Sequence, residues 1–177
     1  MGGLDLGHVE QSTRETTSGH SSEKVGQGAP MSVIRNSVVI RCKREDAFDY
    51  LSDHRAELEW NPKCMMMEKV TEGPAGLGTR YRAQWKGSPL IEMETVAYER
   101  PRTWTMHNGG PLEVTFTCRL EPVPEGTRLD VEFVPRPHGW FRLLFPVFLL
   151  VSRRDEAANM HHIRDALERR AHSATPE

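Results

Sequence analysis

Cysteine is scarce in this chain of 177 residues, with three in all: Cys42, Cys64 and Cys118. They are far apart, odd in number and show no C-x-x-C spacing. Neither a zinc centre nor a disulfide framework is suggested, and reduced thiols in a cytoplasmic protein are expected. Excess charge is also missing. The 23 basic and 25 acidic residues leave a formal charge of −2, which gives no general pull toward nucleic acid or an anionic surface. Even that excess is local. Residues 1–30 hold Arg14 and Lys24 against Asp5, Glu10, Glu15 and Glu23, so the remainder is neutral. No glycine-rich phosphate loop or readable nucleophile–base pairing is present, and no metal site or cofactor is expected. The opening MGGLDLGHVEQS has no basic region followed by an apolar one, and Leu6 stands where a myristoylation motif wants Ser or Thr. Finally, no apolar run is long enough to cross a membrane, which takes about 20 residues. The longest, GWFRLLFPVFLLV over Gly139–Val151, ends in Arg153-Arg154-Asp155-Glu156.

What is present divides the chain into three parts. Residues 1–30 are rich in Gly, Ser, Thr and Glu, with Leu4, Leu6, Val9 and Val25 as nearly the only large apolar groups. Too little surface can be buried there to offset the ordering entropy, and a disordered tail is expected. Residues 31–171 carry regular patterning and form one domain; residues 172–177 are a short C-terminal tail.

Within the domain, Ile34, Val38 and Ile40 alternate against Arg35, Ser37 and Arg41, which reads as a strand. KREDAFDYLSDHRAELEW then reads as helical and is stopped at Pro62. Further strands follow between turn signals such as GPAGLG, GSP, RPR, NGGP and PVPEGT. Thr79, Tyr81, Ala83 and Trp85 alternate against Arg80, Arg82, Gln84 and Lys86. LEVTFTCRL places Val114, Phe116 and Cys118 on one face, and RLDVEFV does the same with Leu129, Val131 and Phe133. Short connections imply an antiparallel sheet with one dry face. A long helix to about residue 171 ends the domain and is the element able to cover that face.

The start of this helix is apolar all the way round, with Pro146 as a candidate kink or break. Its second half narrows to a stripe of Leu149, Met160, Ile163 and Leu167, on which Arg153 and Glu156 also fall. Two charges on a buried stripe are costly unless paired or wet. They either reach a rim or the sheet, or face a cavity that holds the polar end of a ligand. Trp60-Asn61-Pro62 reads as a core anchor and helix stop, with Trp60 as a candidate at an entrance. His107 falls on the solvated face. His161 and His162 point about 100° apart on the helix, with no acid at metal spacing, and read as surface residues.

In this order, AFDYLSD, ELEWNP, GPAGLGTRYRAQW, YERPRTW, EGTRLDVEF and GWFRLLFP…RRDEAANMHHIRDALE resemble the polyketide cyclase and lipid-transport superfamily, called SRPBCC or START-like, over roughly Ser32–Arg170. The resemblance implies an α+β helix-grip fold. A curved antiparallel sheet of about seven strands wraps round the C-terminal helix, with one or two short helices after the first strand. It also implies a mostly apolar cavity between sheet and helix. Its wall would comprise Trp60, Tyr81, Trp85, Met93, Trp104, Met106, Phe116 and Phe133 from the sheet side. Leu149, Arg153, Glu156 and Met160 would come from the helix. The expected function is binding of a hydrophobic small molecule: a lipid, quinone, sterol or polyketide-like compound. A second reading is a cyclase, aromatase or dehydratase in which Glu156 acts as general acid–base, Arg153 as its electrostatic partner and Tyr81 as a hydrogen-bond donor. A third is docking of Trp140, Phe141 and Phe145 on a membrane or partner, with transient membrane contact. Monomer and homodimer both stay open, and no nucleic-acid partner is expected.

Overall fold

The computed structural model describes residues 32–173; the expected N-terminal tail, and nearly all of the C-terminal one, lie outside them. Strand β1 (Ile34–Ile40) leads into α1 (Arg44–Leu51), a 3-10 turn at His54–Ala56 and the single turn α2 (Glu57–Trp60). Six strands follow: β2 (Cys64–Lys69), β3 (Arg80–Trp85), β4 (Ile91–Glu99), β5 (Thr103–Asn108), β6 (Leu112–Val123) and β7 (Gly126–Pro137). The chain ends in α3 (Phe141–Ser173). The seven strands form one antiparallel sheet in the order β1-β7-β6-β5-β4-β3-β2. The first two strands are thus the opposite edges, and α1 and α2 carry the chain between them.

Alternation sets the inner face. Ile34, Phe133, Phe116 and Met106 form one transverse row across β1, β7, β6 and β5, and Asn36, Val131, Cys118 and Trp104 form the next. The core unites Met106, Trp104, Cys118 and Val131 of these rows with Ala47, Phe48 and Leu51 of α1 and Met160, Ile163 and Leu167 of α3. Phe48 packs edge-on against both Tyr98 and Trp104, with centroids 5.1 and 5.2 Å apart. Each large side chain removed from water this way contributes about 1.5–3 kcal/mol.

Two local expectations change. The stretch 43–60 is not one helix. It breaks at Ser52–Asp53, where Asp53 is extended and its carboxylate accepts from the Arg55 amide at 3.2 Å, capping the turn that follows. Conversely, α3 does not break at Pro146. The helix runs through it, although Pro146 cannot donate to the Arg142 carbonyl.

Helix α3 is 33 residues long but buries fully only Met160, Ile163, Ala166 and Leu167, all in its C-terminal half. That half lies on β1 and is tied down. The Arg41 amide donates to Glu168, and Arg170 reaches Glu59 while covering the Tyr50 ring at 4.6 Å. Near its middle, Lys63 pairs with Asp155.

Candidate functional site

On the inner face Tyr81, Met93, Trp104 and Met106 are all buried. Trp104 Nε1 donates to His54 Nε2 at 3.2 Å, and the His54 ring meets Tyr81 edge-on at 5.5 Å. Burial holds His54 neutral, its pKa lowered to about 4 with Asp53 partly opposing. Burial likewise pushes the Tyr81 hydroxyl up to about 12. That hydroxyl sits beside the His54 backbone without completing a hydrogen bond.

Trp60, Trp85, Phe116, Phe133 and Leu149 keep part of their surface. Two carboxyl groups lie near enough to influence one another, and each keeps some accessible surface although protein encloses it, the condition of a group lining a recess. One is Glu156 of α3. The other is Glu57 of α2. Trp85 Nε1 donates to Glu57 Oε1 at 2.6 Å, and Asn61 Nδ2 donates to the same oxygen at 2.7 Å. The Lys63 amide donates to Asn61 Oδ1 at 3.0 Å, which fixes the amide so that its NH₂ faces Glu57. Both donors converge on Oε1 and leave Oε2 without a protein donor among the described residues.

The electrostatics separate the two acids. Burial raises the Glu57 pKa while the Trp85 and Asn61 donors pull it back down. Burial also raises Glu156, to about 8, and the charges of Glu57 and then Asp155 push in the same direction. Glu156 therefore keeps its proton near neutral pH, and Glu57, with two N–H donors, is the better holder of negative charge. The thiols of Cys118 and Cys64 feel the same acids. Burial raises both, Cys118 with help from Glu156 and Glu57, and Cys64 to about 12 with help from Glu57. Both thiols are thus unreactive. Two neighbouring enclosed acids, one keeping its proton near neutral pH and the other held by two N–H donors, can together donate and accept a proton on a bound molecule.

The other expected site residues are placed as follows. Met160 is buried in the core. Arg153, expected inward beside Glu156, is exposed: it keeps the angle of the stripe, seven residues before Met160, but lies N-terminal to the part of α3 that is fully buried. Tyr81 is buried against His54. His161 and His162 are exposed, as are Arg80, Arg82 and Lys86. Among the described residues no cluster of His, Cys, Asp or Glu is arranged to hold a metal. Two open hollows on the surface involve other residues. One is at the Arg41–Glu45 loop against the β6–β7 turn, and one is on the last turns of α3.

Sequence reasoning missed Glu57 and His54. Both lie in a segment read as one helix. The signal for Glu57 was Asn61 one turn later, ahead of Pro62, since a Glu and an Asn four apart can bond side chain to side chain.

Comparison with curated proteins gives no match. Solved structures share the architecture at low identity, which establishes the fold alone. The aromatase/cyclase Zhui of a Streptomyces species is 15% identical with a TM-score of 0.65, covering 83% of this chain and 99% of that one. A conserved protein of Geobacillus kaustophilus is 14% identical with a TM-score of 0.61, covering 78% and 96%. Ara h 8.0201 is 16% identical with a TM-score of 0.58, covering 77% and 97%. A sequence profile supplies the assignment that distant folds cannot: residues 31–168 match it, and the chain belongs to the polyketide cyclase / dehydrase and lipid transport family.

Proposed function

We propose that this protein binds a hydrophobic small molecule between the sheet and α3, with an oxygen-bearing end of the ligand against Glu156 and Glu57. A lipid, quinone, sterol or polyketide-like compound has the required chemistry. The observation that carries the reading is the pair of enclosed neighbouring acids, Glu57 held by Trp85 of the sheet and Glu156 on α3, the latter keeping its proton near neutral pH. Such a pair costs stability unless something uses it. The apolar walls, Trp85, Phe116, Phe133 and Leu149, supply affinity, and the protonated Glu156 supplies orientation by donating to a carbonyl or quinone oxygen.

Titration with fatty acids, sterols, quinones and aromatic polyketides, followed by tryptophan fluorescence, tests this, because Trp85 bonds directly to Glu57. One class is expected to bind saturably, and Glu156→Gln, which keeps a donor, to bind it nearly as well at pH 7. Glu156→Leu is expected to weaken binding roughly tenfold through the lost hydrogen bond. Equal affinity in Glu156→Leu would remove the acid from the site.

The acid–base difference between Glu156 and Glu57 also favours a catalytic reading, in which the ligand is a polyketide-like substrate for cyclisation or dehydration. Glu156 would give its proton to a carbonyl or leaving hydroxyl oxygen, and Glu57 Oε2 would take one from carbon or water. The similar fold of an aromatase/cyclase is consistent with this. Glu156→Gln separates the two readings, since a carrier keeps its function in that variant and an enzyme loses turnover while still binding.

A further inference from the structure

We infer that the outer face of the first three turns of α3 docks on an anionic lipid bilayer. The side of this segment turned from the sheet carries Leu143, Leu144, Val147, Leu150 and Val151, at the i, i+4, i+7 spacing of one helix face, with Trp140 just before it. Leu143 is 85% exposed, Leu150 71% and Val147 66%. So many large apolar groups in one exposed patch exceed what a soluble monomer usually presents.

Charge decides among occupants. Residues 139–154 contain Arg142, Arg153 and Arg154 and no acid, in a chain whose overall charge is −2. Arg154 continues the apolar face one turn further on, while Arg142 and Arg153 lie along its flank. All three are exposed. Asp155, the nearest acid in sequence, is engaged by Lys63. Apolar groups framed by unneutralised arginines, with a tryptophan at one end, are the composition of a helix lying in a bilayer interface, where phosphates supply the missing negative charge. A second copy fits poorly. An antiparallel pairing centred near Val147 sets Arg142 of one copy against residues 152–154 of the other, and a parallel pairing sets Arg154 against Arg154. Both juxtapose like charges. No helix among the described residues is long and apolar enough to cross the membrane, so the contact is with its surface.

Flotation of the full-length chain with vesicles of phosphatidylglycerol and phosphatidylcholine, against phosphatidylcholine alone, tests this. Binding to the anionic vesicles is expected, weakened by salt. Leu143→Asp and Leu150→Asp, both at exposed positions and checked for an unchanged melting temperature, are each expected to weaken it roughly tenfold. Arg153→Glu and Arg154→Glu are each expected to reduce the anionic preference roughly fivefold or more. Failure to float with either vesicle, or flotation that the four variants leave unchanged, would overturn the inference. So would a dimer that Leu143→Asp dissociates in the absence of lipid binding. Flotation only after removal of residues 1–30 would also overturn it, by placing that segment on the face in the intact chain. Ligand binding is read separately on the same variants and is expected to persist, so failure here leaves the interior site standing.

Discussion

At the scale of single residues, the polar groups inside this sheet divide by whether the protein itself satisfies them. His54 is satisfied. It accepts from Trp104, and burial holds it neutral at a pKa of about 4 against an ordinary 6.5. Between those limits the unfolded chain takes up a proton that the folded chain refuses. The associated stability is therefore present above pH 6.5 and lost as pH falls toward 4, amounting to about 3 kcal/mol. His54→Phe is expected to remove this acid sensitivity. It also orphans the Trp104 N–H, at a cost of about 1–3 kcal/mol near neutrality. Urea denaturation of both proteins at pH 4.5 and 7 measures each effect. Glu57 is half satisfied, with two donors on Oε1 and none on Oε2, and Glu156 receives no donor among the described contacts. That gradient separates structure from site more sharply than residue type does. Glu156 was legible in the sequence as a charge on the apolar stripe of the last helix, but His54 and Glu57 look there like any other polar positions in a helical segment.

At the scale of elements, the strands were legible because a half-buried antiparallel sheet imposes period-two alternation, which the first residues of β3, the first half of β7 and the stretch 118–121 of β6 follow. The break in 43–60 was not legible, since Ser52–Asp53 carries no proline or glycine and the turn depends on Asp53 capping it. Helix α3 was legible in half. Its C-terminal stripe obeys the 3.6 period and is buried. Its first turns are apolar on both sides, and periodicity cannot tell which side the sheet covers. The two halves should respond oppositely to the same substitution. Leu167→Ala, at a fully buried position, is expected to cost about 2–5 kcal/mol. Leu150→Ala, on the exposed face, should cost under about 0.5 kcal/mol. Thermal and urea unfolding of the pair checks this. A loss at Leu150 as large as at Leu167 would mean that the first turns are covered.

At the scale of the whole molecule, the fold follows from one sheet with an apolar face and one helix able to cover it. Aromatic packing around Phe48, Tyr81 and Trp104 closes part of that face, and two enclosed acids stand beside it. The enclosed titratable groups give the molecule a characteristic pH profile. The Glu156 pKa of about 8 lies above its ordinary 4.5, so the folded chain keeps a proton that the unfolded chain releases. Stability is full below 4.5 and declines as pH rises toward 8. Up to pH 6.5 the rising contribution of His54 offsets that decline. From 6.5 to 8 it does not, and the wild type is expected to lose stability across that window. Glu156→Gln should be flatter there and more stable than the wild type at pH 8. Melting temperatures across the range, with both proteins in the same buffers, give the comparison.

The central claim is that the recess beside Glu57 and Glu156 holds a hydrophobic molecule. Native mass spectrometry of the freshly purified full-length protein, with organic extraction of whatever accompanies it, tests that most directly. A discrete extra mass of small-molecule size is predicted, abolished in a Glu156→Leu, Phe116→Ala double variant that still folds. A bare protein mass that stays bare after incubation with fatty acids, sterols, quinones and aromatic polyketides would contradict it.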